Sequence, residues 1–237
     1  MFETLPNDPK VLGLALLFGI IPALVWLWVW LKEDDGHPEP IGLLTLTFII
    51  GMISVILVIP LQQLVSNFIF DEKVLVVVWA ALEEVMKYGV VALVALKSTK
   101  ADDPVDFVIY MITGALGFAA LENALFLLEP IYLKDATVSL ITGNLRFLGA
   151  TLLHSVSSGI VGIALGLSFH KNWAHKKFHV IIGLLGATLL HSVFNFLIMS
   201  EGDGNSMKVF AFLWVISVII SMMFERLRRL SYWYKKQ

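Results

Sequence analysis

Long apolar stretches and short polar breaks alternate along this chain. A membrane-crossing helix takes about 20 apolar residues, and seven stretches reach or approach that length. They run approximately over 11–31, 41–61, 74–96, 105–128, 144–169, 178–200 and 208–224. The pattern predicts an all-α polytopic membrane bundle of about seven transmembrane helices. It forms a single integral-membrane domain over 1–237, with a motif-bearing core at about 74–200. Pro22 and Pro60 fall within or at the end of spans, where neighbouring helices can re-satisfy the freed carbonyls. The segment 131–143, whose only charges are Lys134 and Asp135, reads as an interfacial helix or an extension of the fifth span. The first ten residues carry Glu3 and Asp8 and no basic run, and the span after them ends in Trp26, Trp28 and Trp30. With no small-residue cleavage site, that span reads as a retained helix and not a signal peptide.

The polar exceptions inside the spans carry the chemistry. The third span holds Glu83-Glu84-Val85-Met86-Lys87, three charges in the middle of an apolar run. A charge at the bilayer centre costs at least about 2.5–3.5 kcal/mol on insertion scales, so such residues face the protein interior and usually mark a working site. The fourth span adds Glu122 and Asn123, the fifth Arg146 near its mouth and His154, and the sixth His191 and Asn195. Lys87 is four residues after Glu83 and three after Glu84, so it can pair with either. The two glutamates point about 100° apart on the helix and need not do the same job. Asn195, one turn after His191, could bond that histidine or the species it acts on. Ser157, Ser158, Gly159, Gly162 and Gly166 read as small residues that let helices approach closely.

Composition agrees with the membrane class: 58% of the residues are hydrophobic and 15% charged, with a mean hydropathy of +0.82. The formal net charge of −2 leaves no basic footprint for nucleic acid. The absence of cysteine excludes disulfides, thiolate metal sites and a cysteine nucleophile. Loop cations are lopsided. Eleven Lys and Arg fall on one side of the predicted spans and four on the other, with Lys87 and Arg146 inside. The positive-inside rule then predicts an outer N-terminus and a cytoplasmic C-terminus, with the cell membrane as the setting. In that orientation Glu83, Glu84, Glu122, His154 and His191 fall within about 6 Å of one another in depth at about 1.5 Å per residue, in the outer half. The inner halves carry almost no polar residues, which points to a one-sided cavity.

Three carboxylates and two imidazoles suit water activation. A glutamate can act as general base, and histidine or asparagine donors can stabilise an oxyanion. Glu122, His154 and His191 could instead supply the ligands of a catalytic zinc with Glu83 as base. No His-Glu-x-x-His signature selects that version. Ser155 and Ser192 directly follow the histidines and so point to another helix face. A nine-residue echo surrounds those histidines, 148–156 recurring as 185–193. It reads as a transporter-like internal repeat or as two helices packing alike around a shared polar centre. Rivals from other classes are an ion-coupled transporter using the carboxylates as a proton relay and a non-catalytic scaffold or immunity protein.

The order Glu83-Glu84-x-x-Lys87, Phe118-x-x-x-Glu122-Asn123, His154, His191-x-x-x-Asn195 resembles the PrsW family of intramembrane proteases. That family is placed in a larger group with the CAAX prenyl proteases and bacteriocin-immunity proteins; the γ-secretase scaffold subunit also resembles this group. The motif ending in Glu122 follows the PrsW branch. Asn195 follows the prenyl-protease branch, where PrsW proteins often carry Asp. The resemblance covers about 74–195. It implies hydrolysis of a membrane-embedded or membrane-proximal peptide bond by a glutamate-activated water, on a single-pass membrane protein, as in site-1 cleavage of an anti-sigma factor outside the cytoplasm. It makes Glu83, Glu84, Glu122, His154 and His191 the catalytic candidates and Lys87, Phe118, Asn123, Arg146 and Asn195 their support. No metal is obligatory in this reading; zinc remains the alternative.

Overall fold

The computed structural model describes residues 8–32, 38–134, 138, 146–200 and 206–234. Among these residues seven α-helices follow one another: α1 (Pro9–Leu31), α2 (Ile41–Ser66), α3 (Glu72–Val94), α4 (Pro104–Tyr132), α5 (Thr151–Leu167), α6 (Trp173–Ser200) and α7 (Ser206–Tyr234). A π-helical turn, Arg146–Ala150, leads into α5. No strand occurs among the described residues. Of the ambiguous segment 131–143, residues 131 and 132 close α4, while 135–137 and 139–143 lie outside the described residues.

Local chemistry sets the helix starts. Asp8 caps α1 through the Lys10 amide, and Asp71 caps α3 through those of Lys73 and Val74. Asp103 and Asp106 form a reciprocal capping box at α4, whose first residue is Pro104. Such caps satisfy amides that a helix start leaves orphaned. Several helix ends depart from the hydropathy pattern, two of them by polar C-terminal extensions. α2 runs past the apolar limit at Leu61 to Ser66, and α7 runs ten residues past Phe224. In the latter extension Glu225 pairs with Arg228 and Arg229 one turn on, so the helix continues on polar pairs where its apolar signal stops.

α4 and α5 form the centre and are buried nearly all round; α1, α2, α3, α6 and α7 pack about them. Small residues allow the close approach. A Cβ on Gly117 of α4 would strike the Phe48 carbonyl of α2, and one on Gly162 of α5 would come within 2.6 Å of the Val108 Cα of α4. The outer helices present Phe18, Ile56, Leu185 and Met222 to the surroundings. In water so broad an apolar surface would drive association; in hydrocarbon it is a solvated face. Among the described residues six helices, all but α3, are long and apolar enough to cross a membrane, α5 being counted with the turn before it. α3 has 23 residues, as many as α1. It is set apart by Glu83, Glu84 and Lys87. The fold is therefore the polytopic helical bundle that the apolar pattern predicts.

Candidate active site

Glu83, Glu84 and Lys87 of α3 are buried where α3 meets α4, α5 and α6. Glu84 and Lys87 are inaccessible, as is His154 to within 1%, and His191 and Glu83 nearly so. Glu84, Lys87, His154, Glu122 and His191 come together as one hydrogen-bonded group, and Glu83 lies beside it.

The two glutamates occupy different surroundings. Glu84 is an acceptor for several donors. Lys87 Nζ lies 2.5 Å from its Oε1, His191 Nδ1 2.8 Å and Ser157 Oγ 3.0 Å, while Ser158 Oγ is 3.4 Å from Oε2. Glu83 accepts one bond, from Gln62 Nε2 of α2 at 2.9 Å. Its Oε2 is buried without a partner and faces His191 Nε2 at 3.7 Å. Lys87, free by spacing to pair with either glutamate, takes Glu84. Its third-residue spacing brings the ammonium onto the α5 side, where it also lies 3.0 Å from His154 Nδ1.

His154 Nε2 in turn lies 3.0 Å from Glu122 Oε2. Its ring packs edge-on against His191 at 5.1 Å between centroids and at a 52° tilt against Phe118 at 5.3 Å. The Phe118 ring is also 5.1 Å from Lys87 Nζ, within cation–π range. Phe118 thus walls the buried cation and its histidine on the α4 side. Asn123 is turned away and donates to Thr151 Oγ1 at 2.8 Å, tying α4 to the start of α5. Among the described residues, half-buried Asn195 makes no bond to His191, whose Nδ1 is taken by Glu84. Arg146 opens the π-helical turn, but its side chain lies outside the described part of the structure.

Some contributors escape the sequence pattern. Ser157 and Ser158, read as packing residues, give their hydroxyls to Glu84. Their signal was present, since they follow His154 by three and four residues and share its face. Gln62 had no such signal: it lies beyond the apolar limit of α2, and its partner is on another helix. At the other end of α4, Tyr110 donates to Glu39, and Asp106 accepts the Asp102 and Asp103 amides. These buried polar groups qualify the expectation of apolar inner halves. Fully buried Met111, Ile112, Ala115 and Leu116 separate them along α4 from Glu122.

Among the described residues, Glu83, His154 and His191 each place a ligand atom within 4.8 Å of the others, a group that could hold a metal ion. The expected set of Glu122, His154 and His191 is thereby corrected: the converging carboxylate is Glu83, because Glu122 is engaged with His154 Nε2. Tested by chemistry, Glu83 Oε2 and His191 Nε2 suit a metal, the first an orphaned oxygen and the second an imidazole backed by a carboxylate. His154 does not fit as the third ligand, because both its ring nitrogens are already hydrogen-bonded. A catalytic zinc takes three protein ligands, and this arrangement offers two.

A lipid-facing bundle that buries carboxylates and imidazoles on four helices defines a multi-pass membrane protein with a buried polar centre. Comparison with known proteins carries this further. Residues 39–223 match the model of the PrsW family intramembrane metalloproteases, and the chain belongs to that family. It is similar to protease PrsW of Oceanobacillus iheyensis, 28% identical over 188 residues that cover 76% of this chain and 80% of the relative. The protease PrsW of Clostridioides difficile is 28% identical over 193 residues, 78% of this chain and 79% of that one. That of Shouchella clausii is 25% identical over 196 residues, 79% and 84%. No solved structure matches the chain. The protein is an intramembrane protease by family, which sets aside the transporter and scaffold alternatives.

Proposed function

We propose that the chain, as one protease domain, hydrolyses a peptide bond in or beside the membrane with a water activated by Glu83. The observation that carries this reading is the unpartnered, buried Oε2 of Glu83 facing His191 Nε2 at 3.7 Å. A general base needs a free lone pair within reach of the water proton. Glu83 has one; the oxygens of Glu84 are committed to Lys87, His191 and two serines. In the proposed step Glu83 takes a proton from water as the oxygen adds to the carbonyl carbon. His154, the Nε2–H donor of the pair, stabilises the oxyanion. The C–N bond then breaks, and the proton held by Glu83 passes to the leaving amine. Glu84 and Lys87 hold the imidazoles in place, Glu122 backs His154, and Phe118 and Asn123 fix α4. No metal is obligatory in this scheme.

The substrate in this reading is a single-pass membrane protein, such as an anti-sigma factor at its first cleavage. The loop cations support an outer N-terminus, a cytoplasmic C-terminus and a cell-membrane location, which puts the site in the outer half. The motif order supports placement beside the CAAX prenyl proteases and bacteriocin-immunity proteins. The test is co-expression with a tagged single-pass substrate. Glu83→Gln and His191→Ala should each abolish cleavage while the protein still folds and inserts; unchanged cleavage in both overturns the assignment.

A further inference from the structure

The hydrogen-bond partners of the two buried histidines assign their hydrogens. The Lys87 ammonium lies 2.5 Å from Glu84 Oε1 and 3.0 Å from His154 Nδ1. An ammonium has three donors and no acceptor, and a neutral imidazole has one donor and one acceptor nitrogen. Nδ1 of His154 therefore receives, and the ring hydrogen sits on Nε2. That nitrogen lies 3.0 Å from Glu122 Oε2, a carboxylate oxygen able to accept it. Every contact of the ring is satisfied in this tautomer. In the other tautomer, Nδ1–H would confront the ammonium and Nε2 would confront the carboxylate with lone pair against lone pair.

His191 is the opposite case. Its Nδ1 lies 2.8 Å from Glu84 Oε1. Ionised in its pair with Lys87, Glu84 only accepts, so the hydrogen is on Nδ1. Nε2, directed toward Glu83 Oε2, keeps its lone pair. The two rings stand nearly perpendicular, at 86°, so each meets its own set of partners.

We infer that Lys87 is a positioning residue that fixes His154 as an Nε2–H donor, while Glu84, held by the same ammonium, fixes His191 as an Nε2 acceptor. The site histidines thus face the reaction in opposite tautomers. His154 can give its hydrogen to a developing oxyanion only in exchange for its bond to Glu122, and it has no lone pair for an ion. His191 can accept a hydrogen bond or bind a cation. The nine-residue echo around both histidines hides this difference, because the roles are set by partners on α3 and α4 and not by the repeated residues. The inference refines the proteolytic reading, but the tautomers would exist in a chain that cleaved nothing.

The test therefore reads nitrogen and not cleavage. The full-length chain, labelled with 15N-histidine and placed in lipid nanodiscs, is studied by solid-state NMR. The two signals are assigned by their loss in His154→Gln and His191→Gln. The expected result is hydrogen on Nε2 of His154 and on Nδ1 of His191, with the His154 state unchanged after saturation with Zn²⁺. Lys87→Met, which leaves Glu122 as the one partner favouring Nε2–H, should raise the share of His154 with hydrogen on Nδ1, and Lys87→Arg, another donor-only cation, should return it to Nε2. Hydrogen on Nδ1 of His154 in the unmodified chain, one shared tautomer for both rings, or zinc displacing the His154 Nε2 hydrogen would each overturn the inference. The unmodified chain decides even where the Lys87 variants fail to fold.

Discussion

Replacing Glu84 by glutamine should damage the fold, and replacing Glu83 should damage the reaction alone. Glutamine at 84 can keep its oxygen toward Lys87, His191 and Ser157 and turn its amide toward the Ser158 hydroxyl, so the hydrogen bonds survive. What is lost is the negative charge beside a fully buried ammonium. Breaking a buried pair by removing one partner costs about 3–5 kcal/mol. At about 2–4 °C per kcal/mol for a chain of this size, Tm should fall by about 6–20 °C. Glu83 accepts one hydrogen bond, from Gln62, which glutamine can keep. Its substitution keeps that bond and should change stability by no more than about 1 kcal/mol, the worth of one hydrogen bond, or about 2–4 °C. The assay is thermal unfolding of the purified full-length protein, followed by fluorescence of its seven tryptophans, beside cleavage of a single-pass substrate. Both variants should be inactive, and only Glu84→Gln strongly destabilised. Adding Lys87→Met to Glu84→Gln removes the stranded cation and should recover part of the lost stability. A Glu84→Gln protein within about 1 kcal/mol of the unmodified chain, a span smaller than the buried-pair cost, or a Glu83→Gln protein less stable than it, would refute the division of labour.

Two further outcomes rest on other contacts. Gln62→Leu removes the donor to Glu83 and should lower kcat about 10- to 100-fold, the worth of a hydrogen bond to a charged group at about 1.5–3 kcal/mol, while KM stays near its original value and Tm falls by about 3–12 °C; an unchanged kcat would show that Gln62 does not orient the base. Gly117→Ala drives a methyl into the α2 backbone at Phe48 and should cost about 1–3 kcal/mol by overpacking, whereas Gly89→Ala, with nothing within 4 Å, should leave Tm unchanged or raise it; equal Tm values for the two variants would contradict the helix contact.

Much of the site was legible because burying charge in hydrocarbon is expensive. Glu83, Glu84, Lys87, Glu122, His154 and His191 stand out against their apolar neighbours, and structure gathers all six. What spacing along single helices could not show was pairing between helices. Lys87 had two possible partners on its own helix and a third on α5, and only packing shows that it joins Glu84 to His154. Gln62 carried no periodic signal, and Ser157 and Ser158 looked like spacers until Glu84 was seen beside them. The converging carboxylate was misassigned to Glu122 for the same reason: depth ranks residues along the membrane normal but does not say which oxygen meets which ring.

The repeated segment separates what each level determines. Its leucines, glycine, alanine, threonine, histidine and serine are the same in α6 as in α5 and the turn before it, and that composition alone dictates apolar helices with a histidine at one level. Leu152 is fully buried, and its counterpart Leu189 is 66% exposed. The two histidines receive opposite partners although their neighbours in sequence are identical. Periodicity and the cost of buried charge are properties of one helix, so the sequence by itself determined the membrane class, the helices and the residues with chemistry. Which face meets protein and which meets lipid, and which glutamate is left with a free oxygen, depend on neighbours brought in from other helices. Those only the tertiary structure decided.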